Sequence, residues 1–317
     1  MGDTEHFVRD DVRGFLAMLE AMGGPQLDEV PIEQARASYN AMAQLAEAEP
    51  RELAVVRDLT CPGPGGEIPL RLYDARTHRS AGPVVMFFHG GGFTIGDLDT
   101  HHAMCTELAH GLDLPVVAVH YRLAPEAPFP AAPDDCEAAT RWVAGSPAEL
   151  GLQVTGLVTT GDSAGGNLTI VVTQALGDDP AAVPVLVQAP IYPIASPVEE
   201  TGSYKSFGEG FLLTARTMEF FSASYAGEVD DKRHYPILHD NHAQTPPTVL
   251  ITASLDPLRD SGREYAAHLV QNGVDVTYIE AKGNVHGFIT VRKAVPSAQK
   301  DVEALIAAIQ LMLERQS

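Results

Sequence analysis

Short apolar runs recur along the chain after residue 50, and longer, more polar stretches separate them. Runs of about four to eight apolar residues indicate buried strands, whereas apolar residues spaced three and four apart indicate helices. The run at 84–88 is apolar throughout, which is typical of a strand covered on both faces. The pattern predicts eight strands, at 53–59, 68–73, 84–88, 116–120, 157–160, 185–189, 249–252 and 276–279.

Helical spacing characterises most of the remaining segments. The first fifty residues are predicted to be helical, with a second helix over 31–49. Another helix, capped by Thr214, is predicted in a long insertion after the sixth strand, and the last helix begins at a predicted Ser297 cap. The segment 168–173 is rich in β-branched residues, but we predict a helix there because tertiary context overrides a weak local preference.

The order of these elements predicts an α/β fold with a mostly parallel eight-stranded sheet flanked by helices. The Pro-Gly-rich segment 61–66 suits a short antiparallel connection between the first two strands. The later strands are separated by long intervals with helical pattern, as right-handed crossovers in a parallel sheet require. The N-terminal helices and the insertion are extra to this sheet, and both can cover its carboxyl edge, where such folds bind ligands.

Composition and charge exclude several classes of partner. The chain has 317 residues, of which 45% are hydrophobic and 20% charged, which is ordinary for a globular protein. Its formal net charge of −21 disfavours nucleic acid and anionic membranes, since both would be repelled.

The acidic N-terminal segment 1–6 lacks the apolar stretch of a signal peptide. The three cysteines show no metal-binding or disulfide spacing, so a cytoplasmic location is expected.

Two glycine-rich turns carry the candidate chemistry. The segment Gly-Asp-Ser-Ala-Gly-Gly at 161–166 follows the fifth strand, and such a turn can expose Ser163 as a nucleophile because its neighbours are small. The segment His-Gly-Gly-Gly-Phe at 89–93 follows the third strand, where backbone amides can approach a ligand closely. This second turn lacks the pattern of a nucleotide-binding loop, so we interpret it as an oxyanion hole.

A nucleophilic serine needs a base and an orienting carboxylate from other loops at the same edge of the sheet. His286 is the histidine that follows the eighth strand, and Asp256 and Asp260 both follow the seventh. We prefer Asp256 because it is nearer the strand end, and we expect Asp260 to support the turn or the following helix. The resulting order of serine, aspartate and histidine is the one expected of α/β-hydrolases.

The chain resembles the hormone-sensitive-lipase-like esterases, also called bacterial family IV lipolytic enzymes, over roughly residues 50–290. The resemblance rests on five segments: His-Gly-Gly-Gly-Phe at 89–93, Tyr-Arg-Leu-Ala-Pro-Glu at 121–126, Gly-Asp-Ser-Ala-Gly-Gly at 161–166, Asp-Pro-Leu at 256–258 and His-Gly-Phe at 286–288. It implies that Ser163 is the nucleophile, that His286 is the base and that Asp256 orients it. The implied oxyanion donors are the amides of Gly91, Gly92 and Ala164.

The resemblance also implies a helical cap formed by residues 1–50 and 202–232, over a catalytic core of residues 51–201 and 233–317. The expected substrate is a small ester with a short to medium acyl group, hydrolysed through an acyl-enzyme without a cofactor or metal. A homodimer is the assembly that the resemblance suggests. The alternatives are a non-catalytic ligand-binding homologue and a hydrolase of lactones or amides.

Two further groups of polar residues are expected to be structural. We expect His89 to support the glycine turn through hydrogen bonds rather than to transfer protons. The spacing of His101 and His102 relative to Asp97 and Asp99 matches no standard metal-ligand set, so we expect these four residues to form a surface loop.

Overall fold

The fold is built around one twisted eight-stranded sheet, as seen in a computed structural model that describes residues 6–316. The strands lie in the order β1-β2-β4-β3-β5-β6-β7-β8. β2 is antiparallel to both of its neighbours, and all other adjacent strands are parallel. The strands are β1 Val55–Gly63, β2 Gly66–Asp74, β3 Ala81–Phe88, β4 Val116–Val119, β5 Gln153–Asp162, β6 Val185–Ile191, β7 Thr248–Leu255 and β8 Val276–Val285.

The predicted fold class and the eight predicted strands are confirmed within the described residues. The largest difference is in β8, which was predicted to end at residue 279 but continues to Val285. β1 was predicted to end at residue 59 but continues to Gly63. Gly63 pairs with Gly66, so the Pro-Gly-rich segment extends both strands and forms the tight turn between them.

Helices cover both faces of the sheet and its carboxyl edge. The helices of the described part of the chain are α1 Asp10–Met22, α2 Ile32–Ala46, α3 His102–Leu112, α4 Ala131–Ala144, α5 Ala164–Asp178, α6 Gly202–Phe207, α7 Ala215–Tyr225, α8 Arg259–Gln271 and α9 Ala298–Glu314, together with several short 3₁₀ turns.

The central strands are buried on both faces, which explains their continuous apolar runs. In β3, Val85 and Phe87 pack in the core that also holds α3 and α9. The alternate residues Met86 and Phe88 pack in a second core with α4 and α5. Because successive side chains point to opposite faces, each core receives every second residue of the strand.

The β-branched segment at 168–173 is helical, as predicted, and lies within α5. Two of its threonines satisfy their hydroxyls inside the helix: Thr169 Oγ1 donates to the Gly165 carbonyl at 2.8 Å and Thr173 Oγ1 to the Thr169 carbonyl at 2.7 Å. Such bonds allow threonine to be buried in a helix without an unpaired polar group.

One predicted helix cap is confirmed and the other is wrong. Thr214 caps α7, since its hydroxyl accepts a hydrogen bond from the Thr217 amide at 3.1 Å. Ser297 precedes α9 but makes no side-chain cap bond. Its amide and hydroxyl instead contact the Asp11 carboxylate at 2.8 and 3.0 Å, because α1 packs beside this end of α9 and competes for the hydroxyl.

Two separate helical segments meet above the sheet edge. Arg216 of α7 binds Asp28 at 2.8 Å and Glu29 at 2.9 Å, which ties the insertion to the turn between α1 and α2. The first five residues of the predicted cap, which include most of the acidic segment 1–6, lie outside the described residues, as does residue 317. Within residues 6–316, no helix has both the length and the apolar character needed to cross a membrane.

Candidate active site

Ser163 occupies a strained turn between the end of β5 and the start of α5. Its backbone has φ 57° and ψ −115°, a conformation that non-glycine residues rarely adopt. A side chain at Gly161 or Gly165 would come within 3.0 Å of the Phe88 carbonyl oxygen, so only glycine allows β3 and this turn to pack so closely. The strain holds the serine hydroxyl at the carboxyl edge of the sheet.

His286 and Asp256 lie beside this serine in a continuous hydrogen-bonded chain. His286 Nε2 is 2.8 Å from Ser163 Oγ, and His286 Nδ1 is 2.8 Å from Asp256 Oδ2. Asp256 is fully buried, and its other oxygen accepts a hydrogen bond from the Leu258 amide at 2.7 Å. This arrangement fixes the histidine tautomer: Nδ1–H donates to the carboxylate, and Nε2 faces the serine as an acceptor.

Asp260, the alternative carboxylate, lies elsewhere. One of its oxygens accepts a hydrogen bond from the Ser203 amide at 2.8 Å, and the other pairs with Arg259 at 2.9 Å. It therefore fastens the start of α6 to the start of α8 and does not contact His286.

The glycine turn after β3 faces the same serine. Gly91 and Gly92 have φ values of 116° and 57°, and in the described part of the chain neither amide donates a hydrogen bond to another protein group. The Ala164 amide is at the first position of α5, where no preceding helical carbonyl is available to it. Ser163, His286 and the three residues that bear these amides line one cavity.

This cavity has a volume of about 750 Å³, and the two helical segments form its roof. The first segment contributes Tyr39 and Met42 of α2. The second contributes residues of the 212–223 region, including Phe221. The Phe221 ring lies so close to Gly92 that a Cβ added at Gly92 would come within 3.0 Å of the ring. Sequence reasoning could not identify these roof residues, which carry no motif.

His89 lies behind the glycine turn rather than at the serine. Its Nδ1 is 2.9 Å from the Gly90 carbonyl, and its ring stacks on Tyr121 at 4.3 Å. The Tyr121 hydroxyl donates to the His89 carbonyl at 2.7 Å. Burial, assisted by the neighbouring His101, lowers the pKa of His89 to about 3, so this histidine is neutral at physiological pH.

The predicted surface loop at residues 97–102 is wrong for His101. His101 is only 1% exposed, and its Nε2 lies 3.0 Å from Asp162 Oδ1. The prediction is also wrong for His102, which is half-buried and is the first residue of α3. The two aspartates behave as expected of a loop: Asp99 is exposed, and Asp97 accepts a hydrogen bond from the Thr100 amide at 2.8 Å. His101 is buried because the carboxylate of Asp162, from the distant nucleophile turn, provides a polar partner for it inside the protein.

Asp162 lies within the motif that carries Ser163 but has no role that the motif predicts. Its carboxylate is buried beneath the glycine turn. Among residues 6–316, no group of three or more histidine, cysteine, aspartate or glutamate side chains is arranged to hold a metal ion. The cysteines, Cys61, Cys105 and Cys136, are all buried and unpaired.

Comparison with known proteins defines the class. Residues 85–290 match the α/β-hydrolase fold family. Esterase LipI of Mycobacterium tuberculosis is 38% identical over 83% of this chain and 83% of its own, and an ethyl acetate hydrolase of Pseudomonas putida is 33% identical over 95% and 98%. A crystal structure of an α/β hydrolase from the metagenome of Lake Arreo, Spain, is 32% identical, with a TM-score of 0.91 over 98% of both chains.

The chain therefore belongs to the α/β-hydrolase fold family. Within it, the predicted membership of the hormone-sensitive-lipase-like esterases is confirmed by the matched family and by the esterases among its relatives.

Proposed function

We propose that this protein is a serine carboxylesterase in which Ser163 is the nucleophile, His286 the general base and acid, and Asp256 the group that orients the histidine. The observation that carries the proposal is the hydrogen-bonded chain of these three residues, 2.8 Å at each link, at the floor of a large apolar-lined cavity. The esterases among the relatives support the same activity.

The geometry supports a two-step mechanism. In the first step, Ser163 Oγ attacks the ester carbonyl carbon while its proton moves to His286 Nε2. The negative charge that develops on the carbonyl oxygen is stabilised by the amides of Gly91, Gly92 and Ala164, for which residues 6–316 provide no competing acceptor. The protonated histidine then gives its proton to the departing alcohol, and an acyl-serine remains.

The second step repeats the first with water. His286 removes a proton from water, the resulting hydroxide attacks the acyl carbon, and the carboxylic acid leaves as the proton returns to Ser163. Asp256 stabilises the imidazolium that forms in each step.

We also propose that residues 1–50 and 202–232 form a cap over a catalytic core of residues 51–201 and 233–317. Residues of both segments roof the cavity, which supports a substrate limited by this roof to a short or medium acyl group. A cytoplasmic location is supported by three buried, unpaired cysteines. A homodimer remains a prediction.

A non-catalytic receptor is the main rival, because the same fold can bind small molecules without turning them over. The complete serine, histidine and aspartate arrangement favours catalysis over that rival. Lactones and amides remain alternative substrates, since the same acyl-enzyme chemistry would cleave them.

The test compares hydrolysis of p-nitrophenyl acetate, butyrate and octanoate by the wild type and by Ser163→Ala. We expect kcat to fall about ten-thousandfold or more in the variant, with an unchanged circular dichroism spectrum. Ser224→Ala is the matched control, because the Ser224 hydroxyl bonds the Phe220 carbonyl within α7 and does not line the cavity. Turnover by Ser163→Ala near the wild-type rate would exclude the proposed nucleophile.

A further inference from the structure

Asp162 is a buried carboxylate at the active site that the mechanism above does not use. It is the last residue of β5, directly before Ser163, and only 3% of it is exposed. A buried carboxylate is costly unless it is paired or hydrogen-bonded, so its partners indicate what it does there.

The partners of Asp162 come from three different parts of the chain. Oδ1 accepts a hydrogen bond from the Gly90 amide at 2.8 Å. Nε2 of His101, which precedes α3, lies 3.0 Å from the same oxygen. Oδ2 accepts a longer hydrogen bond, at 3.3 Å, from the hydroxyl of Tyr192, which follows β6. The carboxylate thus joins the nucleophile turn to the turn that carries the proposed oxyanion amides.

The fit between these turns is close. A Cβ at Gly90 would lie within 3.0 Å of Asp162 Oδ2, so glycine is required where the carboxylate meets the turn. Gly90 is directly followed by Gly91 and Gly92, which line the cavity and bear the proposed oxyanion amides. A shift of the Gly90 amide would therefore displace both oxyanion donors relative to Ser163 Oγ.

Asp162 is also charged. Burial opposes its ionisation, but His101, the Gly90 amide and His286 outweigh burial and hold the pKa of this carboxyl below its usual range. The ring of Tyr192, which bonds the carboxylate, lies 4.5 Å from the ring of His286. A fixed negative charge at this place favours the positively charged histidine that forms during each step of the reaction.

We propose that Asp162 is a positioning residue that holds the glycine turn in register with Ser163 through Gly90, and that His101 holds Asp162 in place. This inference rests on the proposed esterase function. Asp162 does not touch the substrate in this role; it acts through the amides of Gly91 and Gly92 and through the charge on His286.

Asp162→Asn provides the main test, because asparagine keeps the shape and one carbonyl oxygen for Gly90 but removes the charge. We expect kcat to fall roughly 10- to 100-fold while KM changes less than about threefold, because a misplaced oxyanion hole weakens the transition state more than the bound ester. A trifluoromethyl ketone, which forms an oxyanion with the serine, should lose affinity by about the same factor as kcat/KM.

Asp74→Asn is the matched control. Asp74 is also buried, at 6% exposure, and binds Arg79 at 2.8 Å. It follows Tyr73, which pairs with the first residue of β4, so it lies at the opposite edge of the sheet from Ser163. This variant should lose stability in urea without a change in kcat for the folded enzyme.

Folding and catalysis are separated by titrating competent sites with a p-nitrophenyl phosphonate, so that kcat refers to active enzyme only. His101→Gln should give a smaller decrease in kcat than Asp162→Asn, again with little change in KM. A kcat for Asp162→Asn within twofold of the wild type, with Ser163→Ala inactive, would overturn this inference and leave the esterase function intact. Activity in Ser163→Ala would instead overturn the function itself.

Discussion

The carboxyl edge of the sheet and the helical roof above it are held in place by different kinds of contact. At the edge, backbone packs directly on backbone: Gly161 and Gly165 lie so close to the Phe88 carbonyl that neither position has space for a side chain. The roof is fastened mainly by side chains, such as the half-exposed Arg216 that pairs with Asp28 and Glu29. The difference indicates that the proposed catalytic residues lie on a rigid base, whereas the roof, which we propose to select the substrate, can vary.

The two regions meet at the glycine turn. Phe93 stacks on Tyr225 of α7 with ring centroids 3.7 Å apart, and Arg36 of α2 donates to the Thr94 carbonyl at 2.9 Å. Arg36 also pairs with Glu126 at 2.7 Å. Both helical segments of the roof therefore contact the loop that carries the proposed oxyanion amides, and substitutions can show how far the two regions are independent.

The largest decrease in kcat is expected from a substitution in the proposed catalytic triad at the edge of the sheet. Asp256→Asn should lower kcat about ten-thousandfold, because the new carbonyl oxygen would accept the Leu258 amide and the new NH2 group would then face His286 Nδ1, which stabilises the wrong tautomer. The check is steady-state hydrolysis of p-nitrophenyl butyrate by the purified variant.

Asp260→Asn is the matched substitution on the same loop. Because Asp260 binds the Ser203 amide and Arg259, we expect it to reduce stability and to leave kcat within about fivefold of the wild type. Equal losses of kcat in the two variants would contradict the assignment of Asp256.

Much of the edge could be predicted from the sequence because its signals are local. A strand buried on both faces requires a continuous apolar run, and a turn without space for Cβ requires glycine. The positions of Ser163, Asp256 and His286 after β5, β7 and β8 then follow from the order of the elements. Even the β-branched segment in α5 could be assigned, since the turn before it needs a helix.

The errors at His101 and Ser297 have a common physical cause, which is a polar partner distant in the sequence. His101 was expected in a surface loop because the spacing of the nearby histidines and aspartates matches no metal-ligand set, but Asp162 gives it a buried partner. Ser297 was expected to cap α9, but Asp11 takes its hydroxyl. The roof residues of the cavity could not be predicted for a related reason, because they depend on how two separate segments pack.

A smaller decrease in kcat is expected from a substitution at Gly92, where Phe221 of the roof contacts the glycine turn. Gly92→Ala should lower kcat roughly 100-fold, because its φ of 57° disfavours a side chain and the new Cβ would collide with the Phe221 ring. Adding Phe221→Ala removes the collision but not the backbone strain, so the double variant should recover only part of the activity. No recovery, measured as kcat on p-nitrophenyl acetate, would show that Phe221 does not limit the turn.

The burial of His89 beside this edge should also make the free energy of unfolding depend on pH. The folded pKa of His89 is about 3, below the ordinary value of about 6.5, so below pH 6.5 the unfolded chain binds a proton that the folded protein does not. The free energy of unfolding should therefore decrease as the pH falls from 6.5 toward 4.5, by up to about 1.4 kcal/mol per pH unit from this residue. Urea unfolding at several pH values measures the slope, and His89→Gln should make it shallower; an identical slope in both proteins would contradict this prediction.

The smallest effect, a change in the preference for acyl length, is expected from a substitution in the roof alone. Phe221→Ala enlarges the cavity above the glycine turn without removing any group of the proposed triad. We expect kcat/KM for p-nitrophenyl octanoate to increase relative to acetate by up to about tenfold, since one or two methylene groups gain space and each contributes about 0.8 kcal/mol when buried. Phe220→Ala, on the same helix but outside the cavity lining, is the control and should leave the ratio unchanged. If both variants changed the ratio equally, or if Phe221→Ala lowered both rates together, substrate length would be set by the edge and not by the roof.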